Sequence, residues 1–200
     1  MTSQPTSSGF DDELQREDDG YRAKNISLEE ALNADKDDES LAKWKQSLLG
    51  NATAGQKAVH MTSFSLIFED GSPEIFVPLN DPDALNELQR NPIILKEGVR
   101  FRYKTTFNVQ GDILSGLAFL AHVYRMKIRV MKQEYVLGSY GPRDEDHEVV
   151  FPSGFDEYLE TPSGLTGRGS YITRCSFTDD DKVKYFDFAF NFKVCKGWTD

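Results

Sequence analysis

From Val59 to the C-terminus the apolar positions recur every second residue, the period of a half-buried strand. In Phe64-Ser65-Leu66-Ile67-Phe68 the side chains of Phe64, Leu66 and Phe68 share one face, and Asp70-Gly71-Ser72-Pro73 then turns the chain. The clearest strand runs from Val99 to Val109. Val99, Phe101, Tyr103, Thr105, Phe107 and Val109 alternate with Arg100, Arg102 and Lys104, which gives a core face and a wet face. Ile113 to Arg125 is apolar on both faces, as a central strand would be, although the period alone leaves a short helix open. Gln110-Gly111-Asp112 before it predicts a hairpin. Further strands are predicted at Ile128 to Lys132, Tyr135 to Tyr140, His147 to Phe151, Gly169 to Phe177 and Lys184 to Cys195, with turns at Gly141-Pro142 and Thr178 to Lys182. At least seven strands at short spacing imply an all-β sandwich. The last strand sets Phe186, Phe188, Phe190, Phe192 and Val194 on one face. So many rings supply a large core, and they also suit two sheets held apart over an apolar slot.

The first 58 residues read differently, as an arm joined to a sandwich domain over 59–200. Residues 1–25 are polar and acidic, with too little apolar surface to offset the entropy of ordering. Ser27 and Glu30 form a capping-box pair ahead of Leu28, Ala31 and Leu32, predicting a brief helix near 27–33. A second helix is predicted over 37–49: Leu41, Trp44 and Leu48 recur at helical spacing, Leu49 widens the stripe, and Asp37, Asp38 and Glu39 favour its positive end. A helix of about four turns is marginal alone in water, so its apolar stripe calls for a surface to cover it. Asn51 to Lys57 is small and polar, a linker.

Charge sharpens this division. Residues 1–50 hold 12 acidic and 6 basic side chains, net −6, out of −10 for the whole chain of 200 residues. Such a balance argues against a nucleic-acid groove and against an anionic membrane as a stable direct partner, and favours a basic protein segment. The longest apolar run, Leu117 to Ala121, falls far short of the roughly 20 residues that cross a bilayer. The polar N-terminus predicts a cytosolic address. Cys175 and Cys195 are expected to be reduced structural thiols.

The candidate chemistry is mostly negative. Asp35, Asp37 and Glu39 imitate a calcium loop, but Ser40 and Gln46 stand where its glycine and bidentate glutamate belong. Gly164-Leu165-Thr166-Gly167-Arg168-Gly169 fits no dinucleotide or phosphate-loop spacing and reads as a connecting loop. His60, His122 and His147 lack metal-ligand spacing, and no nucleophile elbow or acid–base pair stands out. The expectation is a binding protein without catalytic residues, metal or cofactor.

Several ordered blocks then resemble one family, the Rho GDP-dissociation inhibitors. They are Leu32 to Gly50 with its Asp-Lys-Asp-Asp-Glu-Ser-Leu core, Leu95-Lys96-Glu97-Gly98, Val136 to Arg143, Arg168-Gly169-Ser170-Tyr171, Phe177 to Lys182 and Lys196-Gly197-Trp198. The resemblance implies an immunoglobulin-like β-sandwich whose inter-sheet pocket takes the geranylgeranyl group of a Rho- or Rac-type GTPase. It also implies an arm that covers the switch regions and blocks GDP release, with extraction of the partner from membranes by a monomer forming a 1:1 heterodimer. On that resemblance Asp38, Ser40, Trp44, Leu48, Leu49 and Asp181 would contact the GTPase. Leu66, Ile93, Phe101, Ile113, Tyr135, Thr173, Phe188 and Phe190 would line the prenyl pocket. Glu145 and Glu148 would face the partner's basic tail, and Ser170 matches a phosphorylation position. Phe188 and Phe190 stand where familiar animal members have tryptophan, Thr173 and Thr166 where they have apolar residues, Met131 where they have an acid, and Pro92 where they have a regulatory serine. Two other readings are a general carrier of prenylated or acylated proteins, and a carbohydrate-binding sandwich.

Overall fold

The computed structural model describes Leu14, Ser27, Glu30 and residues 55–199. The predicted arm helices therefore lie outside the described residues, apart from the capping box. There the Ser27 amide donates to Glu30 Oε2 at 3.3 Å and the Glu30 amide to Ser27 Oγ at 3.1 Å, the reciprocal pair that satisfies two free amides at a helix start.

Residues 55–199 build two facing sheets. The first contains β1 (Ala58–Phe68), β2 (Ile75–Pro78), β4 (Arg100–Gln110), β7 (His147–Phe151) and the short β8 (Leu159–Glu160), in the order β2-β1-β4-β7 with β8 also on β4. The second contains β3 (Ile93–Lys96), β5 (Leu114–Arg125), β6 (Ile128–Tyr140), β9 (Gly169–Thr178) and β10 (Lys184–Cys195), in the order β3-β10-β9-β5-β6. Helix α1 (Pro82–Arg90) crosses from β2 to β3, and α2 (Gly164–Gly167) precedes β9. The all-β sandwich expected from the alternation is present. Its interior is an aromatic layer: Phe64 lies 5.0 Å from Tyr103, 5.5 Å from Phe119 and 5.2 Å from Phe188, centroid to centroid. These are offset and edge-on arrangements that aromatic quadrupoles favour.

Three expectations need correction. Gln110-Gly111-Asp112 makes no hairpin, because β4 and β5 belong to different sheets. The turn instead crosses the sandwich, and Gly111, at φ 79°, lets it pass so close to the lead-in of β1 that a Cβ there would sit 2.2 Å from the Gln56 carbonyl oxygen. Ile113 to Arg125 is the strand expected, beginning at Leu114, and the helical alternative falls away. The two strands predicted on either side of Gln133 and Glu134 are one, β6, since both residues keep the ladder with β5, opposite Ala121 and Leu120; the Tyr103 hydroxyl donates to Gln133 Oε1 at 3.4 Å. Finally, the glycine-rich run after Ser163 contains the single helical turn of α2 rather than loop alone.

Helix α1 had a readable signature: Asp81 caps it, accepting from the Asp83 and Ala84 amides, with Pro82 in its first turn and Arg90 in its last. At the tip of β5–β6, where Arg125 pairs with Ile128, Met126 and Lys127 hold φ of 48° and 66°. Non-glycine residues pay a steric cost there, so Lys127→Gly is expected to stabilise the fold by about 1 kcal/mol, read as a higher midpoint in thermal denaturation.

Candidate functional site

At one end of the sandwich the sheets part around a cavity of about 200 Å³. Alternation along the strands supplies its walls. Leu66 of β1 and Phe101 and Tyr103 of β4 face inward from the first sheet; Leu95, Val123, Tyr171, Thr173, Phe190 and Phe192 face them from the second. Val130, Met131 and Gln133 of the edge strand β6 and the segment Tyr158 to Pro162 around β8 complete the lining at the edge, where the mouth opens. The cavity is smaller than the roughly 300–1,000 Å³ of a typical ligand site, so a guest of that size would have to spread the sheets or turn rings aside.

Three clamps position the mouth. Arg100 and Arg102, on the face of β4 that reads as merely wet, both lie over the Tyr158 ring, at 4.5 and 4.3 Å from its centroid. Arg102 also donates to the Glu157 and Gly154 carbonyls at 2.8 and 3.1 Å. Arg125 reaches from the end of β5 to donate to the carbonyls of Thr166 and of Arg168, and its guanidinium lies 5.3 Å from the Tyr171 ring centroid. Glu97 takes a two-pronged ion pair from Arg168, at 2.9 and 2.6 Å, which holds its carboxyl below the usual range. Two of the motif blocks thus meet each other: the Glu97 turn is tied to the Arg168 strand entrance. Thr161 joins them to β8, donating from Oγ1 to the Lys96 carbonyl at 2.6 Å and accepting from the Val99 amide at 3.0 Å.

The residues expected in the pocket divide. Leu66, Phe101, Thr173 and Phe190 line the cavity. Phe188 and Tyr135 stand outside the lining: Phe188 is buried against Phe64, and Tyr135 is half-buried on the edge strand β6, 5.6 Å from Phe151. Ile93 sits on the edge strand β3 beside Phe192, while its neighbour Leu95 faces the cavity. Ile113 precedes β5 at the end remote from Val123 and does not reach the cavity. Leu95, Tyr103, Val123, Val130, Met131, Gln133, Tyr171, Phe192 and the Tyr158 to Pro162 segment were missed. Tyr171, Val123 and Phe192 follow from strand alternation, but the last segment has no periodic signal.

Glu145 and Glu148 are both exposed, and Glu148 pairs with Thr106 rather than with the Phe101 end of β4. They stand away from the mouth, whose own carboxylate is Glu160. Ser170 is exposed at the start of β9. Asp38, Ser40, Trp44, Leu48 and Leu49 lie outside the described residues.

Asp181 is exposed on the β9–β10 turn, and the turn owes its shape to a neighbour that sequence reasoning passed over. Asp179 is buried. It accepts from Lys57 Nζ at 3.0 Å, from the Tyr185 hydroxyl at 2.5 Å and from the Val183 amide at 2.9 Å. Burial works to raise its pKa, but these donors prevail and hold the carboxyl below the usual range. For Tyr185, burial and the bond to Asp179 push the phenol up to about 12. The linker read over Asn51 to Lys57 therefore ends in a structural anchor.

Among the described residues no group of three or more His, Cys, Asp or Glu side chains is placed to hold a metal ion. None of their helices is long and apolar enough to cross a membrane. Cys175 and Cys195 are unbridged and buried, and burial pushes the Cys175 thiol well up.

The fold and the cavity define the class: an all-β sandwich protein with an apolar cavity that opens at the edge between its two sheets. Comparison with known proteins narrows the class. A family model described as RHO protein GDP dissociation inhibitor matches residues 7–197. The chain is 35% identical over 178 residues to human Rho GDP-dissociation inhibitor 1, covering 87% of this chain and 84% of that protein. It is 38% identical over 183 residues to Rho GDP-dissociation inhibitor 3 of Bos taurus, covering 89% and 78%. The chain belongs to the Rho GDP-dissociation inhibitor family, a family of regulators.

Proposed function

We propose that this protein binds geranylgeranylated Rho- or Rac-type GTPases one to one, slows GDP release, and carries them off membranes into the cytosol with their lipid between its sheets. The observation that carries the reading is the apolar cavity joined to a clamped mouth. A twenty-carbon isoprenoid gains on the order of 10 kcal/mol or more on leaving water, and a bilayer offers nearly as much. The cavity alone therefore cannot favour extraction; contacts to the protein part of the partner must tip the exchange.

Those contacts are assigned to the acidic arm, through Asp38, Ser40, Trp44, Leu48 and Leu49, and to Asp181 on the exposed turn. The partner's basic tail would run past Glu145 and Glu148 towards Glu160 at the mouth. No cofactor is required beyond the partner's own lipid. Ser170, exposed on β9, is available for phosphorylation.

Liposome extraction tests the reading. The full chain is expected to solubilise a geranylgeranylated Rho-type GTPase, and a chain lacking residues 1–50 to fail. Asp38→Ala should weaken binding even of the unprenylated GTPase, by about tenfold for one lost charge-assisted contact. Undiminished extraction by the shortened chain would return the protein to the general-carrier reading, in which isolated prenylated peptides bind as well as the whole GTPase.

A further inference from the structure

The tip of the β5–β6 hairpin runs against the chemistry of its turn. Two central residues at positive φ favour Asn-Gly or Asp-Gly, yet Met126 and Lys127 occupy them, with Met126 84% exposed. Ile128 follows at 68% and Val130 at 52% exposure. A costly backbone kept together with bare apolar side chains points to a use for them. Across residues 125–132 the chain reads Arg-Met-Lys-Ile-Arg-Val-Met-Lys, four cations without a carboxylate, in a protein of net charge −10. The overall charge, which argues against an anionic membrane, averages over this local reversal. The tip is also continuous with the cavity, since Val130 and Met131 line it. Arg125, fastened to the Thr166 and Arg168 carbonyls, brings in the loop that carries Leu165, itself 86% exposed.

We infer that this tip is a docking face for an anionic phospholipid bilayer. Met126, Ile128 and Leu165 enter the headgroup boundary, Lys127 and its neighbouring cations attract anionic headgroups, and the cavity mouth is set against the hydrocarbon. Alternating basic and apolar side chains suit that interface. Resting on the prenyl reading of the cavity, docking gives the lipid a path from bilayer to protein that avoids water. The contact is transient by design, because a few side chains without a covalent lipid anchor weakly.

The test uses the full chain without a GTPase, in flotation with phosphatidylcholine vesicles that contain or lack phosphatidylserine. Binding is expected at low ionic strength only when phosphatidylserine is present, and it should fall with added salt. The double substitution Met126→Asp/Ile128→Asp is expected to cut partitioning by at least about tenfold, and Lys127→Gln by about fivefold. Neither Met126 nor Ile128 lines the cavity, so the double variant should keep its melting temperature and its affinity for a geranylgeranylated peptide. Absence of wild-type binding at low salt, or wild-type binding by the double variant, overturns the inference. So does a zero-length cross-link from Lys127 to carboxylates of residues 1–50 in a chain that ignores vesicles, which would assign the tip to the arm. Loss of peptide binding with vesicle binding intact strikes the prenyl reading alone.

Discussion

Phe190→Asp is expected to abolish extraction of a geranylgeranylated Rho-type GTPase from liposomes while the unprenylated GTPase binds as before. Phe190 is only 3% exposed, lies 6.2 Å from each of Phe188 and Phe192, and forms part of the cavity wall. A carboxylate there must either stay hydrated, which wets the cavity, or bury its charge at a cost of several kcal/mol. Both oppose a guest whose whole gain is removal from water. Truncating a buried phenylalanine also costs about 3–5 kcal/mol of stability, so a companion change is needed that adds rather than removes apolar volume. Thr173→Phe serves: Thr173 is 1% exposed and faces the cavity, and a ring at that position occupies the space the lipid needs. Lipid-dependent affinity, measured as the difference between prenylated and unprenylated partner, should vanish in both variants. A Thr173→Phe protein that still binds the prenylated form more tightly would remove the cavity from the account.

Asp179→Ala is the second large effect, expected to destabilise the fold by about 2–4 kcal/mol in urea denaturation. The change strands the Val183 amide and the Tyr185 hydroxyl, and it leaves Lys57 without its anion. Lys57 remains 26% exposed and recovers some hydration, which keeps the cost below that of a fully buried pair. The pH dependence follows from the lowered carboxyl. A depressed folded pKa means the stabilisation is complete above the unfolded value of about 3.9 and is lost as pH falls through the folded value. Wild type should thus lose stability below about pH 4 more steeply than the variant does. Parallel acid limbs would show that Asp179 is not the group responsible.

The sandwich was legible because its strands are long and one-sided. In β4 every second residue from Phe101 to Phe107 is buried, and β10 keeps Phe188, Phe190 and Phe192 inward. What escaped was set by contacts remote in sequence. Arg100 and Arg102 look like solvent-facing charges until Tyr158 is found packed against both, more than fifty residues on. Asp179 sits in an acidic run where only its burial distinguishes it from Asp180 and Asp181. The family resemblance supplied pocket positions, but their depth depends on how rings pack, so it could not tell Phe190 on the cavity wall from Phe188 behind it. Strands as short as β2, β3 and β8 hold too few residues to show a period.

The place where the chain enters the sandwich has a geometric consequence. The Gly55 amide is bonded to the Gly111 carbonyl at 2.9 Å, and Ala58 pairs with Gln110, whereas the Phe68 end of the same strand pairs with Phe101 beside the cavity. Entry and cavity therefore occupy opposite poles, separated by the length of an eleven-residue strand, about 35 Å. On the proposed reading, a G protein held beside Asp181 near the entry pole would need a tail of about ten extended residues for its lipid to reach the cavity. The long axis of the sandwich would then act as a ruler, admitting partners by the reach of their C-termini as well as by the identity of the lipid.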